Sequence, residues 1–588
     1  MKTGYSLRYT TLGAIFALIG ILIVSQLIRF QIGPQAEIFR QQGDIYSGEW
    51  HILTPVRGQI YDRWGHLLAG NKTVYEVGVE LQFVQNPDTI ALAASVVLGL
   101  DYDWVYRMAS QPYSENAVYV VLKKNASVEQ VDQLKALVEK IDANPGKNGT
   151  SQDGNPHSLR GLVFSPFLQR TYPELSLASN VLGFVNIEDE GYFGIESHYN
   201  DLLSGVEKPV WLPSDPNRAT ELPETPGGAS LILTLDREIQ ASVEKILDAA
   251  VQNSGSETGT IIVMDPETGD ILAMASTPHM NPNEYWDLSD TFQEGQYYNK
   301  AIGSYEPGSV FKVITMAAAL DSGTVEPDTP FLDTGYIEIG GVPIYNWNRG
   351  AWGPQTMLGC MQHSLNVCLA WVSSQMGAAT FYDYLQNFGF GHPTGIELDG
   401  EVTGHLKLPG DSDWYEADLG TNAFGQGISV TPIQMLMAIS AVANDGKMMT
   451  PRILQAVVDN NRQYNTSPQV AGTPISAETA HVLTNMLTVS LEEEASTALV
   501  EGYRIAGKTG TAEIPTPFGY TSSATNASFV GWGPVDDPQF LVYIWLEKPT
   551  SSPWGSEVAA PVFSEIVQRL VVLMDLPPDQ VRQSMAMP

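Results

Sequence analysis

Between Arg8 and Arg29 the chain runs for 20 residues without a charge, and its centre, Leu12 to Ile28 (LGAIFALIGILIVSQLI), is apolar throughout. A stretch of that length and character spans a bilayer as a helix, and few other solutions bury so many consecutive apolar side chains. A cleaved leader is the competing reading. No small-x-small pair follows the apolar core before Arg29, which favours a single uncleaved anchor over residues 1–30. Flanking charge leaves the orientation open, because Lys2 and Arg8 on one side are matched by Arg29 and Arg40 on the other. No second segment of this kind follows, so the rest of the chain is expected on one side of the membrane.

At 588 residues, with 43% hydrophobic and 16% charged content, the chain exceeds one ordinary core, and two or more folded domains are expected. Thirty-one basic against 66 acidic residues give a formal charge of -35, which excludes nucleic acid as a partner and suits solubility outside a cell. The two cysteines, Cys360 and Cys368, would lie ~12 Å apart on one straight helix, beyond disulfide reach. They are expected to be small buried residues. No C-x-x-C or histidine cluster suggests a metal site.

Composition divides the remainder. A mixed region reaches about Gly205 and carries a polar insertion at Asn144–Ser158. The proline-rich stretch Leu212–Gly228 marks a boundary. Beyond it, Ile239, Val243, Ile246, Leu247 and Ala250 recur at helical spacing over Asp236–Val251. GTIIVMDPETGDILAMAST then reads as a hairpin, ASFVGWGPVDDPQFLVYIWLE repeats the pattern near the end, and PVFSEIVQRLVVLM closes with an apolar-striped helix. Strands at both ends with helices between predict an α+β fold: one mainly antiparallel sheet, closed by distant segments and covered by helices.

Chemistry concentrates in SYEPGSVFKVITMAAAL, Ser304 to Leu320, where Lys312 lies three residues after Ser309 in an otherwise apolar helix. Burial opposes the lysine's charge, and an amine that gives up its proton beside a hydroxyl can activate a nucleophile. Pro307 and Gly308 place Ser309 at a helix start, where free N–H groups can stabilise an oxyanion. Ser242 and Lys245 share the spacing but lie on the polar flank of the 236–251 helix, where a solvated lysine keeps its charge. Two further matches follow in order: Ser364 and Asn366 in HSLNV, then Lys508, Thr509, Gly510 and Thr511 in AGKTGT. Alone, Asn366 reads as a helix cap and Lys508 as a surface cation. Together the three motifs form the Ser-x-x-Lys, Ser-x-Asn, Lys-Thr-Gly set of penicillin-binding proteins and serine β-lactamases.

In such a site Ser309 attacks a carbonyl and Lys312 takes its proton, while Ser364 and Lys508 form the opposite wall and pass a proton to the leaving amine. Asn366 holds Lys312 and the substrate amide. On a strand, Lys508, Thr509 and Thr511 can bind a carboxylate, and Gly510 lets backbone approach the reacting centre. An extended peptide can add along that strand.

The chain resembles a class B penicillin-binding protein, a monofunctional peptidoglycan transpeptidase, over nearly its whole length. RGQIYDRWGHLLA, Arg57 to Ala69, resembles the family's Arg-Gly-x-Ile-x-Asp-Arg-x-Gly signature. RTYPELSLASNVLGFV and GIESHYNDLLSG resemble its next two segments, and all three read from the residues alone as turn and packing. FGQGISVTPIQ is similar to another family segment and is also a sufficient helix start, with Thr431 as cap, Pro432 at the first position and Gln434 at the third. Leu365 departs from the small or acidic residue usual in Ser-x-Asn. The first 230 residues contain no likeness to a glycosyltransferase, and no β-lactamase-type Glu-x-x-x-Asn lies between Asn366 and Lys508.

The resemblance implies an anchor over 1–30, an elongated mixed pedestal (dimerisation-like) domain over 31–225 and a transpeptidase domain over 226–588. It implies no cofactor. Its partners would be peptidoglycan stem peptides (a D-Ala-D-Ala donor and an amine acceptor), β-lactams, and a multi-span glycan polymerase in a bacterial membrane, with the catalytic domain outside. The C-terminal EVAAPVFSEIVQRLVVLMDLPPD resembles division-type enzymes more than elongation-type ones. The rivals are an elongation role, D,D-carboxypeptidase activity, and a β-lactam sensor or scaffold.

Overall fold

The computed structural model describes residues 3–32, 36, 38, 48–115, 117–142, 156–213, 226–293, 296–516 and 519–586. Most of the insertion at 144–158 and of the boundary stretch 212–228 lies outside the described residues.

The chain divides into two compact units. The first, residues 1–56 and 204–228, contains the helix Thr3–Ile32, whose apolar part, Leu7–Ile32, has none of its surface buried in the protein. It is the one helix among the described residues long and apolar enough to cross a membrane. The same unit holds an antiparallel ribbon of Gly48–Leu53 with Lys208–Pro213, where Trp50 sits opposite Trp211 with ring centroids 5.4 Å apart.

The second unit, residues 57–203 and 229–588, is built on two sheets. Five antiparallel strands run in the order Ile271–Ser276, Thr258–Met264, Phe540–Glu547, Gly519–Gly533 and Ala506–Thr516. This is the expected sheet, closed where Thr258–Met264 meets a strand that the chain reaches only after its helical middle. Every residue of Thr258–Met264 is buried, so both faces of the pleat must be covered. Ile261 and Val263 pack with Phe529 and Ile544 beneath helices Arg237–Ser254 and Ala560–Leu573. Ile262 and Met264 pack with Tyr543 and Trp545 under Lys312–Asp321 and Pro432–Ala443. The helix expected over 236–251 starts where Asp236 accepts bonds from the N–H groups of Glu238 and Ile239, and stops at Gly255 with φ 65°. Thr431 and Gln434 form the expected reciprocal cap.

The other sheet has seven strands. Arg462–Asn465, Leu454–Asp459, Ser230–Leu233, Ile60–Tyr61, Leu67–Glu80 and Tyr119–Ala126 lie in that order, and Leu162–Thr171 also pairs with Leu67–Glu80. One contact, Ile60–Tyr61 with Ser230–Leu233, is parallel. The signature at Arg57–Ala69 builds this junction. A Cβ on Gly58 would lie 1.8 Å from the Ala229 carbonyl oxygen, so no side chain fits there. Asp62 closes the next turn by accepting from the N–H groups of Trp64 and His66 at 2.9 and 2.7 Å. Arg57 and Arg170 converge on Glu196, with Nε to Oε2 at 2.9 Å and Nε to Oε1 at 2.6 Å, and the carboxylate is fully buried.

The cysteine expectation is corrected. Cys360 and Cys368 do not share one straight helix: Met357–Gln362 and Asn366–Met376 are separate, and the chain reverses between them with Ser364 at φ 51°. That reversal brings the Cα atoms to 6.1 Å, and the two residues form a disulfide. They are nonetheless fully buried, as expected of them.

Candidate active site

Gly308 opens the site, because its backbone adopts φ 61° and it packs where a Cβ would lie 2.8 Å from both the Ala512 Cβ and the Thr511 carbonyl oxygen. Its N–H donates to the Gly425 carbonyl at 3.0 Å. A short 3-10 turn, Gly308–Phe311, leads into the helix Lys312–Asp321, buried from Lys312 to Ala319. Ser309 is half-buried at the turn. No side chain among the described residues hydrogen-bonds its hydroxyl.

Lys312 is fully buried, and its Nζ donates to the Ser364 carbonyl at 2.7 Å, to Asn366 Oδ1 at 2.7 Å and to Ser364 Oγ at 3.2 Å. Burial holds its ammonium form well below the ordinary lysine range; the Lys508 charge adds to that, and Glu494 opposes it. A neutral amine could donate to only two of these three acceptors at a time.

Ser364 occupies the reversal between the two disulfide-linked helices, and its Oγ also accepts from Lys508 Nζ at 3.0 Å. Asn366 begins the following helix and donates from Nδ2 to the Tyr345 carbonyl at 3.2 Å. Leu365, the departure in Ser-x-Asn, points into the core with no exposure. Packing therefore accounts for it.

Lys508, Thr509, Gly510 and Thr511 lie on the edge strand Ala506–Thr516. A Cβ on Gly510 would meet Ser528 Oγ at 2.1 Å and Val310 Cγ1 at 2.9 Å, so glycine lets the Ser309 turn close on the strand. Thr511 Oγ1 accepts from the Gly555 N–H at 3.2 Å. Lys312, Ser364, Asn366 and Lys508 thus share one hydrogen-bonded group, with Ser309 a turn away. Ser242 and Lys245 stand elsewhere, on the helix Arg237–Ser254, with Lys245 exposed.

One participant was not anticipated. Glu494, the last residue of helix Ala477–Glu494, is paired with Lys508 and accepts from the Thr509 hydroxyl, and its second oxygen, Oε2, is buried without a partner among the described residues. In LEEEAS it reads as one of a solvated run. A signal was present, since three glutamates at a helix C-terminus oppose the helix dipole, and such a residue needs a cation elsewhere.

A buried lysine pushed toward its neutral form, a bridging serine and a second lysine on a strand edge are the groups that serine acyl transfer would need. Residues 259–568 match the penicillin binding protein transpeptidase domain, and residues 52–209 match the penicillin-binding protein dimerisation domain. Stage V sporulation protein D of Bacillus subtilis is 33% identical over 532 residues, 87% of this chain and 78% of that protein. Peptidoglycan D,D-transpeptidase FtsI of Escherichia coli is 27% identical over 554 residues, 92% of this chain and 87% of that one. Penicillin binding protein 3 of Mycobacterium tuberculosis, solved with aztreonam, superposes with a TM-score of 0.67 at 25% identity, covering 90% of this chain and 98% of that chain. The chain belongs to the class B penicillin-binding proteins.

Proposed function

We propose that the protein is a peptidoglycan D,D-transpeptidase that cross-links stem peptides through an acyl-enzyme on Ser309. The observation that carries the reading is Ser364 Oγ, held between Lys312 Nζ at 3.2 Å and Lys508 Nζ at 3.0 Å. Lys312 takes the Ser309 proton as Oγ attacks the penultimate D-Ala carbonyl. Lys508 and Ser364 deliver a proton to the departing D-Ala, and Asn366 holds Lys312 and the donor amide. The N–H groups at the Ser309 turn and along Thr509–Thr511 stabilise the oxyanion, with Thr509 and Thr511 reading the donor carboxylate and Gly510 giving it room. An acceptor amine then attacks the ester: its N–C bond forms, the C–Oγ bond breaks, and its proton returns to Ser309. A β-lactam mimics the donor and stays on the serine.

The anchor 1–30, the pedestal 31–225 and the transpeptidase region 226–588 follow as its parts. The Cys360–Cys368 disulfide suits an oxidising compartment, which supports a single-pass anchor with the catalytic region outside the membrane. Its setting is division, as the C-terminal resemblance suggests, beside a multi-span glycan polymerase. Fluorescent penicillin tests the assignment: Ser309→Ala should lose labelling with its unfolding temperature nearly unchanged, and Ser242→Ala should label normally. Equal labelling of Ser309→Ala would sink it. With a D-Ala-D-Ala peptide and an amine acceptor, cross-linked product separates transpeptidation from carboxypeptidation, and binding without turnover marks a sensor.

A further inference from the structure

The three side chains that the acyl-transfer reading gives the donor carboxylate are not equally free to bind it. A protonated lysine has three N–H donors, and a threonine hydroxyl has one. Lys508 is fully buried, and its Nζ donates to Ser364 Oγ at 3.0 Å, to the Thr509 carbonyl at 3.4 Å and to Glu494 Oε1. All three of its donors are engaged. The Thr509 hydroxyl gives its one proton to the same Glu494 oxygen. Thr511 differs, because its Oγ1 accepts from the Gly555 N–H at 3.2 Å and keeps its own proton for a ligand.

An internal carboxylate therefore occupies two of the groups that an incoming carboxylate needs. Its hold is incomplete. Glu494 ends the helix Ala477–Glu494, where the backbone dipole opposes a negative charge. Its side chain is 8% exposed, yet Oε2 is buried without a partner among the described residues, so one oxygen carries both bonds. A carboxylate bonded through one oxygen, at the unfavourable end of a helix, yields shared donors more readily than one bonded through both. Charge acts in the same sense. The Glu494 carboxylate offsets the Lys508 ammonium, and Lys312 is pushed toward its neutral form, so a donor carboxylate meets little net attraction.

Resting on the acyl-transfer reading, we infer that Glu494 is a specificity-determining residue. It competes with the donor carboxylate for Lys508 and Thr509, and so sets how strongly the site prefers a carboxylate-bearing donor. Thr511 reads the carboxylate first, while Lys508 keeps its bond to Ser364 for proton delivery. Removing the Glu494 charge leaves the group cationic and sharpens the preference.

The test uses the full-length protein in detergent and a chromogenic β-lactam, compared with the same compound after its carboxylate has been converted to a primary amide. The ratio of the two acylation rate constants is the carboxylate selectivity. Changes at Ser309 or Lys312 cancel from it, because both compounds use the same nucleophile and base. Failure of the wild type to form any β-lactam adduct overturns the acyl-transfer reading itself, separately from the role of Glu494. In the wild type the selectivity should be on the order of tenfold, which one hydroxyl bonded to a charged group supplies. A value of about a thousandfold or more overturns the competition without any substitution. Glu494→Gln removes the charge and Glu494→Ala the acceptor as well, and each should raise the selectivity by about three- to tenfold. A purely structural role would lower both rates together, so an unchanged or reduced ratio in either variant that still acylates overturns the proposal. Thr509→Val is the second probe. Its effect on selectivity should be larger in the Glu494→Gln protein, where the hydroxyl is released to the ligand, than in the wild type. An equal loss in both backgrounds means that Glu494 does not hold that hydroxyl, and likewise overturns it.

Discussion

Lys312 is useful because its position is unfavourable. A fully buried ammonium with the Lys508 charge nearby is pushed toward the neutral base. Acylation should therefore rise with pH through a value well below that of a free lysine. Glu494 works against this shift, so Glu494→Gln should move the acid limb of the acylation profile to lower pH. A stopped-flow pH series with a chromogenic β-lactam checks it, and an unmoved or upward-moved limb refutes the electrostatic account. Linkage carries the same sign into stability. The unfolded chain protonates this lysine up to about pH 10.4, whereas the folded chain releases the proton earlier. The native state therefore gains stability as pH rises across that window and loses it as pH falls toward the folded value. Lys312→Met should flatten that part of the stability profile.

At the scale of elements, the turn between Met357–Gln362 and Asn366–Met376 holds Ser364 where both lysines can reach it. The disulfide closes this turn across a separation of 8 residues. Closing so short a loop limits the unfolded chain by about 2.5 kcal/mol. Cys360→Ala with Cys368→Ala should lower the unfolding temperature and weaken acylation, because the reversal carries Ser364 and Asn366 on its two sides. A denaturation curve beside a penicillin acylation rate measures both, and unchanged values in each would make the bridge incidental. This turn also shows where sequence reading ends. The strands were legible as short continuous apolar runs around polar turns, their covering helices because apolar residues repeat at 3.6 positions, and the cap at Thr431 and Gln434 because its chemistry is local. A serine at φ 51° leaves no such mark, so a cysteine separation reckoned along one straight helix misses the reversal between two. The motif lysines, serines and asparagine could be read from their order along the chain. Glu494 could not be singled out, because the dipole signal applies equally to Glu492 and Glu493, which remain exposed.

Across the whole of the second unit, the segment upstream of the catalytic half does more than precede it. Ile60–Tyr61 pairs in parallel with Ser230–Leu233, so one sheet crosses the expected boundary at 225/226. The Arg57–Glu196–Arg170 group fastens that junction. Arg57 also reaches Asn200 Oδ1 at 3.0 Å and the Asp189 carbonyl at 3.1 Å, and Arg170 the Gly58 carbonyl at 2.6 Å. A buried pair need not exceed an apolar replacement in stability, yet removing one partner leaves the other charged and dry, at about 3–5 kcal/mol. Arg57→Ala leaves Glu196 with Arg170 as its remaining cation, so it should destabilise by less than that full amount, yet more than Arg63→Ala, whose guanidinium stacks at 5.5 Å on the exposed Trp64. Urea unfolding compares the two. Penicillin acylation of the protein that remains folded should be preserved in Arg57→Ala, since the network touches none of Ser309, Lys312, Ser364, Asn366 or Lys508. Loss of acylation without loss of stability would mean instead that the signature communicates with the site.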